Sequence, residues 1–243
     1  MDTITASLAS VGPREVQLGR TVRSLLDVDG LDHINVYLHR YDKIPTYLGD
    51  PRISVFVDRT DGRGDADKFH WAASVEGYHF TCDDDLEYPV DYVDVMVGKI
   101  EQYRRKAVVS VLGHVLRNFP LMNYFSTQNR ACWGCLSSVS ADHACTLVGT
   151  GVMAYHSDTI VPNMDMFPTP NIADIWFGLA CRLRGIPVVS VAHEADWLRY
   201  AKDLQLEETI AGEAMYENAF HCALLNEFHR NYGLESPHGV EGL

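Results

Sequence analysis

Residues 77–85 read GYHFTCDDD, so six residues of strand character run directly into three consecutive aspartates. A Gly/Asp-rich turn, TDGRGDADKF, comes before this run, and an amphipathic helical pattern that opens at Pro89 follows it. Strand followed by helix is the alternation of an α/β protein, in which successive strands are mostly parallel. The aspartates are therefore predicted to stand at the carboxyl end of a buried strand, on the edge where open α/β sheets bind their ligands.

The same alternation extends towards both ends of the chain. Before residue 77, strand patterns occur in ITASLASV, HINVYLHR and RISVFVDR, with helical periodicity from Val16 to Leu26. After the aspartates, the pattern predicts one strand in AVVSVLGHVL, two short strands in ACTLVGTGVMAYH, a helix in NIADIWFGLACRLRG and a last strand in IPVVSVAH. We predict an α/β fold with a mostly parallel central sheet over residues 1–204, followed by a helical C-terminal extension over residues 205–243.

The composition of the chain argues against several classes of function. The 243 residues are 47% hydrophobic and 22% charged, as in a globular protein, and the net charge is −13 with His taken as neutral. Affinity for the nucleic-acid backbone comes from clustered Lys and Arg, so general nucleic-acid binding is not expected. The sequence shows no signal-peptide pattern at its N-terminus and no apolar run of membrane-spanning length. We therefore expect a cytoplasmic protein without a transmembrane segment, whose six cysteines are free thiols.

Asp83, Asp84 and Asp85 are the first candidate site. Three adjacent carboxylates repel one another at the end of a buried strand unless a cation neutralises them. Alternate residues of an extended segment point to the same side, which would let Asp83 and Asp85 project together. Carboxylate oxygens suit Mn²⁺ or Mg²⁺, with the remaining positions filled by water and substrate phosphates. The alternative is a solvated acidic turn that caps the helix opening at Pro89.

A longer pattern surrounds these aspartates. The runs GDADKFHWAASVEGYHFTCDDDLEYPVDYVDVM, LVGTGVMAYHSDTI and PNIADIWFGLACRLRGIPVVSVAHEADWL follow one another in that order. Over roughly residues 3–200 the chain resembles GT-A glycosyltransferases, which are nucleotide-sugar-dependent enzymes with a Rossmann-like α/β fold. The similarity is to the small single-domain members from bacteria and large DNA viruses.

The resemblance implies a donor site at the strand ends. It assigns the nucleotide base to the opening strand and turn from Ser7 to Glu15, and a base or ribose contact to Asp58. It implies that Lys68, with Asp65 as its neighbour, approaches the nucleotide. It gives Asp83 a place at the ribose or the metal, Asp85 the divalent ion, and Gly151 a close backbone approach to the donor sugar. The implied nucleotide-sugar contacts are Ala9, Arg14, Glu15, Asp58, Asp65, Lys68, Asp83, Asp84 and Gly151.

Two further roles follow from the resemblance. Asp174 matches the general base of inverting members, and a helix dipole is expected to keep it ionised; capping that helix is the alternative for this residue. His193 matches a late histidine that completes the metal site in some members, and a purely structural histidine is the alternative. Gly149 and Gly151 would alternatively form a tight hairpin.

The implied reaction is metal-dependent transfer of a sugar, from a UDP-sugar by preference, to a glycan or other hydroxyl acceptor with inversion. Two other functions stay open: a nucleotidyltransferase, for which VGPRE is a poor match to a Gly-rich basic loop, and a non-catalytic nucleotide- or carbohydrate-binding module. The irregular segment 118–142 is interpreted as an acceptor-side loop with aromatic side chains.

Several features outside this site also bear on function. Cys132, Cys135, His143 and Cys145 supply four potential zinc ligands, although a second close cysteine pair is missing, and the Cys132–Cys135 spacing does not have the strand–helix context of a redox motif. Trp71 and Trp176 are interpreted as core residues. The C-terminal helix, predicted from Glu207 to Asn231, would pack on the catalytic domain, dock on a partner or form a homodimer.

Overall fold

The structure is a computed structural model that describes residues 2–60, 62–201 and 218–239. Its centre is an eight-stranded sheet. From one edge to the other the strands are β3 (Ile53–Asp58), β2 (His33–His39), β1 (Thr3–Val11), β4 (Gly77–Cys82), β11 (Val152–His156), β6 (Val108–Ser110), β12 (Val188–Ser190) and β9 (His143–Cys145).

The sheet is mostly parallel. β11 pairs antiparallel with both β4 and β6, and β9 pairs antiparallel with β12. The other neighbouring strands pair in parallel, so β11 and β9 run against the direction that the other six strands share. The prediction of an α/β fold with a mostly parallel sheet is confirmed.

Two small antiparallel sheets flank the carboxyl edge. β7 (Gly113–Leu116) pairs with β8 (Arg130–Trp133) and with β10 (Leu147–Val148). A second pair joins β5 (Leu86–Glu87) to β13 (Arg199–Tyr200), directly after the aspartate triplet.

The prediction of one strand in AVVSVLGHVL is wrong, because the segment divides into β6 and β7, which belong to different sheets. The Ser110 hydroxyl donates to the carbonyl of Gly149 (2.9 Å), and its oxygen accepts from the main-chain N–H of Leu112 (3.2 Å), which holds the chain where it changes direction. A Cβ on Gly113 would overlap the Cys145 side chain and Ser190 Cβ. Only glycine lets the chain pass so close to β9 and β12.

Helices cover both faces of the central sheet. On one face, Leu18, Val22 and Leu25 of the first helix pack with Met96 and Ile100 of the second in the largest apolar cluster. On the other face, Phe177 of the third helix packs with aromatic residues of the loops before it. The α-helices in the described residues are α1 (Glu15–Leu26), α2 (Tyr92–Gln102), α3 (Ala173–Leu183) and α4 (Asn218–Tyr232), and 3-10 turns span Gly12–Arg14, Thr46–Leu48, Gly64–Phe69, Ala72–Ser74 and Met164–Met166.

Helix α4 packs against the segment that follows β7. Cys222 and Leu225 are buried in one cluster with Leu121 and Leu179. The predicted beginning of this helix at Glu207 lies outside the described residues. A homodimer through this helix stays a prediction. Within the described residues, the helices are too short or too polar to cross a membrane.

Candidate functional site

The carboxyl ends of β1, β2, β3 and β4 meet at one edge of the central sheet, as parallel strands in register must. Three of these strand ends deliver side chains that were predicted for the site. β1 continues into the turn that carries Arg14, β3 ends at Asp58, and β4 continues into the aspartate triplet. The polar groups described below are therefore gathered by topology rather than by closeness in sequence.

Arg14 neutralises the middle of the aspartate triplet. Its guanidinium lies 2.6 Å from Oδ1 of Asp84 and 3.6 Å from Oδ2 of Asp85. Burial raises the pKa of Asp84, and the positive charge of Arg14 opposes this rise. Asp84 therefore faces the protein rather than solvent, whereas the side chain of Asp83 is 45% exposed.

The negative charge of Asp85 is only partly balanced by Arg14. Burial, together with the negative charges of Asp83 and Asp84, raises the pKa of Asp85 to about 7. A second cation at this point would remove the repulsion and restore the ionised form. The site is thus short of positive charge where a metal ion was predicted.

Lys68 is the second cation of the site and is almost completely buried, with 3% of its side chain exposed. Its Nζ lies 2.5 Å from Oδ1 of Asp83. Burial lowers the pKa of this amine, but the charges of Asp83 and Asp65 more than offset the burial and raise it. Asp174 contributes in the same direction, so one ammonium serves three carboxylates.

Asp65 caps helix α3 from a distant part of the chain. Its Oδ2 accepts the main-chain N–H of Ala173 at 3.0 Å, while its Oδ1 is buried without a hydrogen-bond partner among the described residues. Burial raises the pKa of Asp65 to about 7; the charge of Lys68 opposes this rise and that of Asp174 adds to it.

Asp174 is held by Thr150 and does not cap its own helix. Its Oδ1 accepts both the main-chain N–H and the hydroxyl of Thr150, each at 2.7 Å. The capping alternative is wrong, since Asp65 occupies that position. The expected effect of the helix dipole on ionisation is also outweighed, because burial raises the pKa of Asp174 while the Thr150 hydrogen bonds oppose the rise. A raised pKa brings a carboxylate nearer to the range useful for accepting a proton at neutral pH.

Gly151 lies directly against the carboxylate of Asp83. A Cβ at this position would overlap the Asp83 side chain, so the close approach requires glycine. The Gly151 carbonyl accepts the Asp83 main-chain N–H at 2.9 Å and the Tyr88 hydroxyl at 2.6 Å. The tight hairpin considered for the two glycines does not form, because β10 pairs with β7 and β11 pairs with β4 and β6.

The outer part of the edge carries Ala9, Glu15 and Asp58. Ala9 lies opposite Tyr37 in the β1–β2 register, and the Tyr37 hydroxyl donates to Oδ2 of Asp58 at 2.6 Å. Hydrogen bonds from Tyr37 and Thr60 lower the pKa of Asp58 to about 2. Glu15 begins α1 and is exposed.

His193 is buried with its ring directed at main-chain carbonyls. Nδ1 lies 2.7 Å from the carbonyl oxygen of Val191, and Nε2 lies 3.3 Å from that of Gly134. A metal role for His193 would require its ring to turn away from these carbonyls. In the described part of the chain, no three His, Cys, Asp or Glu side chains are already arranged around a common metal position.

The cysteine-rich segment does not form a zinc site among the described residues. Cys132 is exposed, Cys145 is buried and all six cysteines are free thiols. The ring of His143 stacks on Trp133 with centroids 4.3 Å apart, and the thiol of Cys145 donates to the His143 carbonyl.

The predicted acceptor-side segment carries one notable cation. The Arg130 guanidinium lies 4.8 Å from the ring centroid of Tyr124 and 5.1 Å from that of Phe125. Phe119 instead stacks on His229 of α4 at 3.9 Å. Of the two tryptophans interpreted as core residues, Trp176 packs between two apolar clusters, whereas Trp71 is only partly buried and belongs to neither.

Sequence reasoning missed Thr150 and Tyr88, both of which position site residues. Thr150 stands between the two glycines of VGTG, a motif from which only the glycines were considered. Tyr88 joins the β4 end to Gly151 from within a segment that was interpreted only as a helix entry.

The sequence matches no protein-family model and no curated protein. Its fold is similar to that of S. aureus TarS residues 1–349, with a TM-score of 0.53 and 11% identity over 82% of this chain and 59% of that one. The chain thus spans less than two thirds of the TarS structure. It is also similar to CMP:2-keto-3-deoxy-manno-octonic acid synthetase complexed with CTP, with a TM-score of 0.53 and 11% identity over 93% of this chain and 99% of that one.

Both solved structures share the α/β architecture described above. At 11% identity they establish architecture rather than activity. The chain has a GT-A-like α/β fold.

Proposed function

We propose that this protein is a metal-dependent glycosyltransferase that moves a sugar from a nucleoside-diphosphate sugar to a hydroxyl acceptor. The observation that supports it most is the grouping, among the described residues, of five carboxylates around Lys68 and Arg14 at the carboxyl edge of the sheet. Asp65, Asp83 and Asp174 surround Lys68, and Asp84 and Asp85 face Arg14. The edge has the charge balance of a site completed by a cation bound together with an anionic ligand.

The donor set fits a divalent ion that the substrate helps to hold. Asp83 is half exposed and Asp85 carries a raised pKa, so both carboxylates would gain from a cation at this edge. Oxygen ligands suit Mn²⁺ or Mg²⁺, and two protein carboxylates leave room for diphosphate oxygens and water. When bound, the ion would stabilise the negative charge of the leaving diphosphate. The proposal rests on Asp83 and Asp85 and does not require His193.

Asp174 is proposed as the base. It lies close enough to Lys68 and Asp83 for their charges to act on it, and Thr150 fixes its Oδ1. The carboxylate would accept the proton of the acceptor hydroxyl as the new glycosidic bond forms. Attack from the side opposite the leaving diphosphate inverts the anomeric carbon. Ala9, Glu15 and Asp58 line the outer edge and are proposed to contact the nucleotide, for which a UDP-sugar is favoured.

A nucleotidyltransferase is the second candidate. Its support is the coverage of 99% of the CTP-bound synthetase by this chain. Against it, Arg14 in the turn after β1 is held by Asp84, which leaves this turn poorly suited to cradle a triphosphate. The released product separates the two reactions: a glycosyltransferase releases a nucleoside diphosphate, and a nucleotidyltransferase releases inorganic pyrophosphate.

The first experiment measures both products. The protein is incubated with a panel of nucleotide sugars, and separately with nucleoside triphosphates plus sugar phosphates, with Mn²⁺, with Mg²⁺ or with EDTA. We expect metal-dependent release of a nucleoside diphosphate from at least one nucleotide sugar. Release of pyrophosphate alone would establish the second candidate instead. Stabilisation by nucleotide or free sugar without metal and without turnover would indicate a binding module.

Asp85→Asn tests the metal site. It removes a proposed ligand while keeping the shape of the side chain. We expect the Mn²⁺-dependent rise in Tm with UDP to disappear and donor hydrolysis to fall at least 100-fold. Asp94→Asn, on the exposed face of α2, is the matched control and should behave as wild type. Retained metal dependence in Asp85→Asn would remove this residue from the site.

Asp174→Asn tests the base. Donor binding should persist, because Asp174 is proposed to act on the acceptor, whereas transfer should fall by about 100-fold or more. A loss of donor binding equal to the loss of transfer would show that Asp174 belongs to the nucleotide site.

A further inference from the structure

A cavity lies on the side of the central sheet where β1 and β2 begin. It has a volume of about 320 Å³ and is formed by the first residues of β1 and β2 beneath the chain that enters β4. Gly77 lies level with Thr3 in the β1–β4 register, and six residues of extended chain separate it from Asp83. At about 3.3 Å per residue, Thr3 at one side of the cavity is about 20 Å along the strands from Asp83. Asn35 lies nearer, level with Ser7 and Thr81, two residues before Asp83 and two strands away.

The floor of the cavity is polar, and a chain of buried hydrogen bonds positions the side chain of Asn35. Asn35 Nδ2 donates to the Ser7 hydroxyl at 3.2 Å, and Ser7 in turn lies 2.8 Å from Nε2 of His79. The other nitrogen of His79 lies 2.6 Å from the Tyr155 hydroxyl. Since Nδ2 is committed to Ser7, Oδ1 of Asn35 is the group left to face a ligand. This oxygen has no hydrogen-bond partner among the described residues.

The wall adds an aromatic ring and an acid. Trp71 is partly buried and is braced edge-on by His70 (centroids 4.9 Å apart) and Tyr37 (6.3 Å). The Ser74 main-chain N–H and hydroxyl both donate to the Trp71 carbonyl, which fixes the turn that carries the ring. Glu76 is exposed at the rim and has no ion-pair partner within the described part of the chain.

These features exclude some ligand classes and favour one. No Lys or Arg is among the described residues that line the cavity, and the one basic side chain among them is the imidazole of His33, so an anion would face Glu76 without a permanent positive charge. The lining is largely polar, with hydroxyl, amide and carboxylate groups, so it offers little to a lipid chain. A sugar ring presents hydroxyls that both donate and accept, and its C–H face packs on an indole. The volume is at the lower end of the range for small-ligand sites.

We propose that this cavity binds an uncharged saccharide, with Trp71 as the stacking surface and Asn35 and Glu76 as hydrogen-bonding partners. Binding here does not depend on the proposed function, because no residue is shared with the donor edge. In a glycosyltransferase the cavity would hold a part of the acceptor glycan remote from the reacting end, which raises the effective concentration of that end. This second step rests on the proposed function.

The binding test uses the tryptophan indole N–H signals of the full chain. The protein has four tryptophans, and Trp71→Phe identifies the signal of Trp71 by its loss. ¹⁵N-labelled protein is titrated with maltose, cellobiose and lactose, and with inorganic phosphate as the anionic probe. We expect at least one disaccharide to move the Trp71 signal saturably while the other indole signals and the phosphate titration show no change. The shift should persist with saturating UDP and Mn²⁺, since the two sites are separate.

Two variants locate the binding. Trp71→Ala should weaken disaccharide affinity roughly tenfold or more, as removal of a central aromatic contact does. Glu76→Gln, at an exposed position, should keep the fold and weaken affinity by a smaller factor. No shift of the Trp71 signal with any of the disaccharides, an equal shift with phosphate, or unchanged affinity in both variants would overturn the proposal.

The proposed role of the cavity in holding the acceptor glycan is tested separately, by acceptor kinetics. Trp71→Ala should raise KM for a long acceptor and leave KM for a monosaccharide acceptor and for the donor unchanged. Disaccharide binding without this KM difference would retain the saccharide site and refute its role in holding the acceptor. Failure of all transfer assays would bear on the donor edge alone.

Discussion

Nζ of Lys68 lies 2.5 Å from Oδ1 of Asp83, with the lysine almost completely buried and the aspartate half exposed. The ammonium also attracts Asp65 and Asp174, so it is the internal cation around which the carboxylates of α3 and β4 are arranged. A metal ion at Asp83 and Asp85 would sit on the outer side of this arrangement. Lys68 thus links the stability of the edge to its proposed chemistry.

Lys68→Met should destabilise the protein in a pH-dependent way. Removing one partner of a buried ion pair leaves uncompensated carboxylates, and because Asp83 is half exposed we expect a loss of about 2–3 kcal/mol at pH 8. The loss should shrink at pH 5, where Asp65, whose pKa is raised to about 7, is protonated and no longer needs the positive charge of Lys68. Urea unfolding at both pH values measures this difference. Lys43→Met, at an exposed position, is the control, and an equal loss at both pH values would contradict the argument.

Asp65→Asn tests the pH dependence of folding stability. Burial raises the pKa of Asp65 to about 7, above the unfolded value of 3.8. The folded state therefore holds a proton that the unfolded state loses, and this contribution to stability disappears as the pH rises from about 4 to 7. Asparagine keeps an acceptor for the Ala173 N–H and does not titrate. We expect the slope of unfolding free energy against pH in this window to flatten by up to about 1.4 kcal/mol per pH unit.

The unfolding free energy of Asp65→Asn should still depend on pH between about 4 and 7, because the pKa of Asp85 is also raised to about 7. Asp94→Asn, which replaces an exposed carboxylate, should reproduce the wild-type slope. A wild-type slope in Asp65→Asn would mean that Asp65 is ionised in the folded protein at neutral pH.

Local patterns were sufficient for much of the fold. GYHFTC was predicted as a strand and corresponds to β4 residue for residue, and Pro89 marks the entry to α2 as predicted. AVVSVLGHVL failed because its apolar residues continue without interruption through a change of sheet. A run of apolar residues indicates burial, and both β6 and β7 are buried. The apolar pattern therefore could not show that the chain changes sheet at Gly113, where it lies against β9 and β12.

The candidate site, like the fold, could be predicted from the sequence only in part. The strand-end position of Asp83 follows from a short stretch of sequence, whereas its partners are set by tertiary structure. The Thr150–Asp174 pair spans 24 residues and the Asp65–Ala173 pair spans 108. The environment of Asp174 could be inferred only in part, because the helix dipole can be inferred from sequence, whereas the burial that raises the pKa of Asp174 cannot.

Thr150→Val tests the positioning of Asp174. The Thr150 hydroxyl stabilises the carboxylate form, so its loss should raise the pKa of Asp174 further. The acid limb of the kcat/KM profile should therefore move to higher pH by about one unit. KM for the donor should not change, and Thr150→Ser should restore the profile. Thr159→Val, which removes a hydroxyl bonded to the Arg105 carbonyl, is the control. A lower rate with an unshifted profile would assign Thr150 a purely structural role.

Asn226→Ala tests the attachment of α4 to the segment after β7. The Asn226 side chain accepts the main-chain N–H of Leu121 at 2.6 Å and donates to its carbonyl at 2.9 Å. Truncation leaves both groups without this partner, and we expect the unfolding free energy to fall by about 2–3 kcal/mol. Hydrogen exchange at Leu121 should accelerate, and KM for the acceptor should rise while KM for the donor stays constant. Asn231→Ala, at an exposed position on the same helix, controls for helix propensity. Equal losses in the two variants would show that α4 contributes only its helical structure and does not hold the acceptor-side segment in place.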